Sequence, residues 1–123
     1  MSLPPHLEAG QDAERRALEM LEGAGLKLLT RNYHCPQGEL DLVLMDRETL
    51  VVAEVRYRKD ASRGTPAETV GHEKQRKLVL ATRHFLSTHA DLRRKPLRFD
   101  VVAVTAGVGP WAVEWLKDAF QAD

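Results

Sequence analysis

Residues 38–58 hold two runs of apolar and β-branched residues separated by the polar triplet Asp46-Arg47-Glu48. That pattern calls for a β-hairpin and commits the rest of the chain to completing a sheet around it. Side chains alternate across a strand. The first run therefore sets Leu40, Leu42 and Leu44 on one face and Glu39, Asp41, Val43 and Met45 on the other. The second run sets Leu50, Val52, Glu54, Arg56 and Arg58 against Val51, Ala53, Val55 and Tyr57. A turn at Arg47-Glu48 pairs Met45 with Leu50, Val43 with Val52 and Asp41 with Glu54, which brings two carboxylates face to face at about 5 Å between Cβ atoms. Like charges so placed in a half-buried sheet are unfavourable and call for a compensating cation. A hard divalent ion held by carboxylates, water and substrate phosphate suits the geometry. Pairing with Arg56 or Arg58, or exposure to water, is the competing reading, and these residues alone leave both open.

The charge of the flanking sequence bears on that choice. The formal net charge is zero, which argues against a protein that coats nucleic acid indiscriminately. The distribution is uneven: residues 55–98 contain twelve Lys or Arg against four Asp or Glu, whereas residues 1–54 contain five against ten. A basic segment that directly follows a carboxylate pair is what a phosphodiester substrate needs, although a solvated face of long basic side chains would read the same way. With 123 residues the chain has room for one compact domain and little room for two. A single domain is expected. Hydrophobic residues make up 43% and charged residues 29%, and no apolar run approaches a membrane span. The first residues lack the blocks of a secretory signal and Cys35 is the sole cysteine, so a cytoplasmic protein without a disulfide is expected.

Along the chain, residues 6–24 have helical periodicity, with Ala17, Leu18 and Leu21 on one stripe and Gly23 and Gly25 as stop signals. Glu14 falls on that inward stripe; it is either a solvated acid favouring the helix dipole or a further acid at the pocket. Residues 26–33 supply a strand before the hairpin, and residues 59–66 read as a polar loop past it, facing either substrate or plain solvent. A second helix, capped near Thr69, runs to about His89 with Leu78, Val79, Thr82, Phe85 and Leu86 inward. Gln75 begins that stripe, as a pocket residue or as a satisfied amide at the domain edge. Residues 97–105 form a strong strand in which Asp100 is a structural partner for Arg98 or another basic residue, a reading preferred to a direct metal role. Residues 111–115 alternate as a last short strand, and residues 117–120 look like a closing helical turn. The five histidines have no zinc spacing, no Gly-rich phosphate loop opens a helix, and no nucleophile elbow surrounds a serine. The order helix, three strands, helix, two strands gives an α/β domain.

Five blocks, in this order, carry a family resemblance: Arg31-Asn32-Tyr33, Gly38-Glu39-Leu40-Asp41-Leu42-Val43, Val52-Ala53-Glu54-Val55-Arg56-Tyr57-Arg58, Lys74-Gln75-Arg76 and Arg98-Phe99-Asp100-Val101-Val102. Together they resemble the YraN family of uncharacterised bacterial proteins over nearly the whole chain. Asp41 followed by Glu54-Val55-Arg56 also resembles the PD-(D/E)xK nuclease core, with Arg56 where that pattern has lysine. The resemblance implies a restriction-endonuclease-like mixed sheet flanked by helices, and a Mg²⁺- or Mn²⁺-dependent endonuclease acting on DNA, branched DNA included. It implies Asp41 and Glu54 as metal ligands, with Arg56, Glu14 and Gln75 beside them; Glu39, on the strand face of Asp41, is an outer acceptor or, preferably, a solvated strand-end acid. Arg58, Lys59, Lys74 and Arg76 are then the phosphate contacts. Arginine stays protonated and cannot accept a proton from water as a depressed lysine can. A non-catalytic nucleic-acid-binding module that retains the nuclease fold is therefore the alternative. Substrate structure and assembly as a homodimer are left open.

Overall fold

A computed structural model describes residues 5–60, 70–107 and 109–122, with side chains from residue 8 onward. Helix α1 (Pro5–Gly23) leads into strands β1 (Lys27–Cys35), β2 (Gly38–Asp46) and β3 (Thr49–Arg58). Helix α2 (His72–Ser87), a single 3-10 turn (Ala90–Leu92), and strands β4 (Leu97–Thr105) and β5 (Ala112–Phe120) follow. The five strands form one sheet in the order β1-β2-β3-β4-β5. Every neighbour is antiparallel except β3 and β4, because α2 carries the chain back to the starting end before β4 begins. Among the described residues no helix is long and apolar enough to cross a membrane.

Each helix covers one face, and the strand residues sort accordingly. Ala13, Ala17, Leu18 and Leu21 of α1 pack with Leu42, Leu44, Val51, Ala53, Val102 and Val104. Leu78, Ala81 and Phe85 of α2 pack with Leu40, Val43, Leu50, Val52, Phe99 and Val101. Both faces of β3 are therefore apolar and its residues 50–53 are almost fully buried, as expected of a strand between two layers. Helix α1 ends at Ala24-Gly25, where Gly25 adopts a φ of 98° that a side chain would resist.

The hairpin has the expected turn and register, with Met45 opposite Leu50 and Val43 opposite Val52. Three expectations need correction. Leu40 does not share a face with Leu42 and Leu44: it packs under α2, and they pack under α1. The alternation slips at Asp41, across from Asn32, whose φ is 53°. Residues 117–120 are not a helical turn but the second half of β5. The pairing of β5 with β4 shifts register between Phe99 and Val101, and Asp118 takes a φ of 53° there. Helix α2 begins at His72 after Gly71 rather than near Thr69, which lies outside the described residues, as do residues 61–66 of the expected loop.

Candidate metal and nucleic-acid site

The β2–β3 ladder ends at the pair Leu42 and Ala53, although both strands continue beyond it. Asp41 and Glu54 are the next residues on each side. Instead of standing opposite one another in the ladder, they meet where the strands part. The Val55 amide donates to Oδ2 of Asp41 at 2.9 Å, so a side chain takes over the role of a strand carbonyl. Glu54 lies on the α2 face, two residues after Val52, with its side chain only 6% exposed. Burial and the close Glu54 carboxylate push the Asp41 carboxyl up to about 7, against the opposing pull of the Val55 amide and Lys74. Asp41 therefore favours its neutral form further towards neutrality than an ordinary aspartate, as a buried carboxyl beside a second carboxylate does.

The cation that faces this pair comes from α2. Lys74 Nζ lies 3.4 Å from Oε2 of Glu54, and that oxygen, buried, makes no hydrogen bond to any described residue. Lys74 was expected among the phosphate contacts, and the fold brings it to the carboxylates. Gln75 goes the other way: its Nε2 donates to the Val70 carbonyl at 2.9 Å, and it lines a separate groove with His72, Arg76 and Arg83. Successive helical residues point about 100° apart, so with Lys74 at the carboxylates Gln75 is turned from it and is the satisfied amide of its second reading. The missed signal was chemical: a buried glutamate needed a cation, and Lys74 was within one turn of the start of α2.

Glu14 does face the site. It lines a cavity of about 430 Å³ with Gly10, Gln11, Asn32, Asp41 and Tyr57. Burial and the Asp41 charge raise its carboxyl above the ordinary range, while Arg31, 3.2 Å away, and a hydrogen bond from Asn32 oppose the shift. Glu39 lines the same cavity at its exposed edge and sits 3.7 Å from His34 Nδ1. Arg56 and Arg58 follow Glu54 at two-residue intervals in the uninterrupted part of β3 paired with β4, so they share its face, and both are half-buried. Lys59 and Arg76 are exposed, and Arg76 lies 3.6 Å from Glu73. Asp100 is away from this site, fully buried, and accepts from Arg98, Trp115 and the Asp118 amide, as a structural partner of Arg98 should.

No described group of three or more His, Cys, Asp or Glu side chains converges as a ready-made metal cage. Two carboxylates side by side, with Asp41 at the wall of a cavity, suit a hard cation that keeps waters and takes further oxygens from a substrate.

Residues 13–104 match the model of a family described as uncharacterised protein family UPF0102, a span that includes Glu14, Asp41, Glu54, Arg56 and Lys74. The chain is similar to a UPF0102 protein of Nitrosococcus oceani, 42% identical over 96% of this chain and 95% of that protein. It is 44% identical to a UPF0102 protein of Alcanivorax borkumensis, over 93% and 92% of the two chains. A UPF0102 protein of Saccharophagus degradans is 46% identical over 94% of each.

Proposed function

This chain belongs to the uncharacterised protein family UPF0102, and we propose that it is a metal-dependent endonuclease-like protein of restriction-endonuclease-like fold acting on DNA phosphodiester bonds. One observation carries the reading. Asp41 and Glu54 meet at the parting of two central strands, with Lys74 Nζ 3.4 Å from a Glu54 oxygen that is otherwise without a hydrogen bond. Two carboxylates side by side repel one another, so a purely structural role gives such a pair little reason to be built between central strands. A carboxyl whose ionisation is displaced by burial and by a neighbouring carboxylate, as that of Asp41 is, is typical of functional sites.

The donor set is all oxygen, which suits Mg²⁺ or Mn²⁺ held by Asp41 and Glu54. Such an ion, when bound, polarises a phosphate oxygen and lowers the pKa of a coordinated water. The chain's own groups do the rest. Lys74 presents an ammonium that can orient the attacking water and offset negative charge gathering on the phosphate. With Lys74 in that place, Arg56 need not act as a base; its guanidinium, permanently charged, can hold a phosphate by two parallel hydrogen bonds. Glu14, across the cavity from the strands, adds an acceptor within electrostatic reach of Asp41.

The test is cleavage of duplex, branched and single-stranded DNAs with Mg²⁺ or Mn²⁺. At least one should be cut, Asp41→Ala should abolish cutting and weaken Mn²⁺ binding by calorimetry, and Lys74→Ala should slow cutting by about 10²-fold or more. Arg56→Lys should then change the rate little; a large gain would move the lysine role to position 56. The departure at Arg56 also sustains a second reading, a binding module without catalysis. Salt-sensitive DNA binding with no cleavage, unaltered by Asp41→Ala, would favour it.

A further inference from the structure

We propose that the cavity walled by α1 and Asp41 is a nucleobase pocket in which an unpaired base stacks on Tyr57, so that the strand enters the site single-stranded or locally unpaired. The inference rests on the nuclease reading of Asp41 and Glu54 and adds the form of the substrate. Tyr57 stands two residues after Val55, whose amide holds Asp41, and both Val55 and Tyr57 line the cavity that Asp41 and Glu14 share. The ring is held from outside that cavity. Trp111, which does not line it, packs against Tyr57 with centroids 5.5 Å apart and planes 39° from parallel. The Arg16 guanidinium sits 4.4 Å over the Trp111 ring, a favourable cation–π geometry. Tyr57 is only partly buried where it packs against the α1 core, so its ring borders both that core and the cavity.

The rest of the lining fits a base better than a phosphate. Gln11 and Asn32 bring side-chain amides, Glu14 and Asp41 bring acceptors, and these are the groups that read the edge of an extruded base. Among the described residues no lysine or arginine lines the cavity to receive a phosphate, whereas its carboxylates can accept hydrogen bonds from an exocyclic amine. The volume, about 430 Å³, is within the range of small-ligand pockets and admits one nucleotide, not the girth of a duplex. Stacking on a π-face is sequence-tolerant and has a large effect per base, so the pocket would select unpaired strands without selecting a sequence.

Fluorescence anisotropy of the full chain tests this, using one labelled single strand and its blunt duplex in Ca²⁺, an ion with the same ligand preference. Wild type should bind the single strand tighter than the duplex. Tyr57→Leu, which keeps apolar packing on Trp111 but removes the ring, should weaken single-strand binding by about tenfold or more and leave duplex binding unchanged. Tyr57→Phe should retain the preference, and thermal melting should be similar for the Leu and Phe variants. Equal affinity for both DNAs, or a Tyr57→Leu protein that keeps the preference, overturns the pocket while leaving cleavage dependent on Asp41 untouched. Absence of binding to either DNA overturns the nuclease reading along with it.

Discussion

Asp41 gives the molecule a pH dependence opposite to that of an ordinary paired acid. Its carboxyl sits at about 7 in the folded chain, against about 3.9 in an unfolded one. Below pH about 4 it is protonated in both states and has no effect. Between about 4 and 7 the folded chain keeps a proton that the unfolded chain has released, so stability falls as pH rises, by up to about 1.4 kcal/mol per pH unit, and levels off above 7. Burial sets this first, then the Glu54 carboxylate on β3, opposed by the Val55 amide and by Lys74 on α2. Denaturant melts of wild type and Asp41→Asn at pH 5, 6, 7 and 8 should show that decline in wild type and a flatter curve in the variant. Added Mg²⁺ should raise wild-type stability more at pH 8 than at pH 5, because the ion and the proton compete for the same oxygens. A wild-type curve parallel to that of Asp41→Asn would mean that the two carboxylates are not coupled. Sequence periodicity found both acids but placed them as a ladder pair on one face. It could not register the slip at Asp41, since Asn32 takes its left-handed φ on a neighbouring strand and leaves no trace in the alternation of β2.

At the scale of elements, the end of β5 depends on a single side chain of β4. Asp100 is completely buried and is held by Arg98 through two hydrogen bonds, by the Trp115 indole at 2.9 Å and by the Asp118 amide at 2.9 Å. Arg98 also pairs with Asp46 at 3.1 Å, so the same carboxylate fastens β4, β5 and the hairpin end together. Asp100→Ala would leave a guanidinium, an indole and an amide without an acceptor, and should cost about 3–5 kcal/mol in urea unfolding; Trp115→Phe, losing one donor, should cost about 1 kcal/mol. A loss for Asp100→Ala below about 1 kcal/mol would show that water replaces the carboxylate. This anchor also accounts for the misread residues 117–120. Lys117-Asp118-Ala119-Phe120 has no alternation of its own, and it is held extended by a bulge against Asp100 that only the folded sheet supplies. The hairpin at residues 38–58 was legible for the converse reason: its polar turn, apolar runs and register are all local.

For the molecule as a whole, a formal net charge of zero means that attraction to a polyanion must come from where the charges sit. Lys59 and Arg76 are exposed, whereas Lys74 is partly neutralised by Glu54. Titrating DNA affinity against salt should therefore give a slope that flattens by about one unit for each of Lys59→Ala and Arg76→Ala that contacts phosphate, and by less for Lys74→Ala. If neither surface change moves the slope, the strand approaches from another side. The arrangement of the sheet has one more consequence. β1, β2 and β3 can zip together as neighbours in sequence, but β3 meets β4 in parallel across a long separation, Leu50 against Leu97 and Arg58 against Thr105. Contacts that close so long a loop are entropically late. A chain in which the meander had formed and α2 had not yet docked would already hold Asp41 beside Glu54. In such a chain the two acids would lack the Lys74 ammonium, and a proton would be left to offset their mutual repulsion.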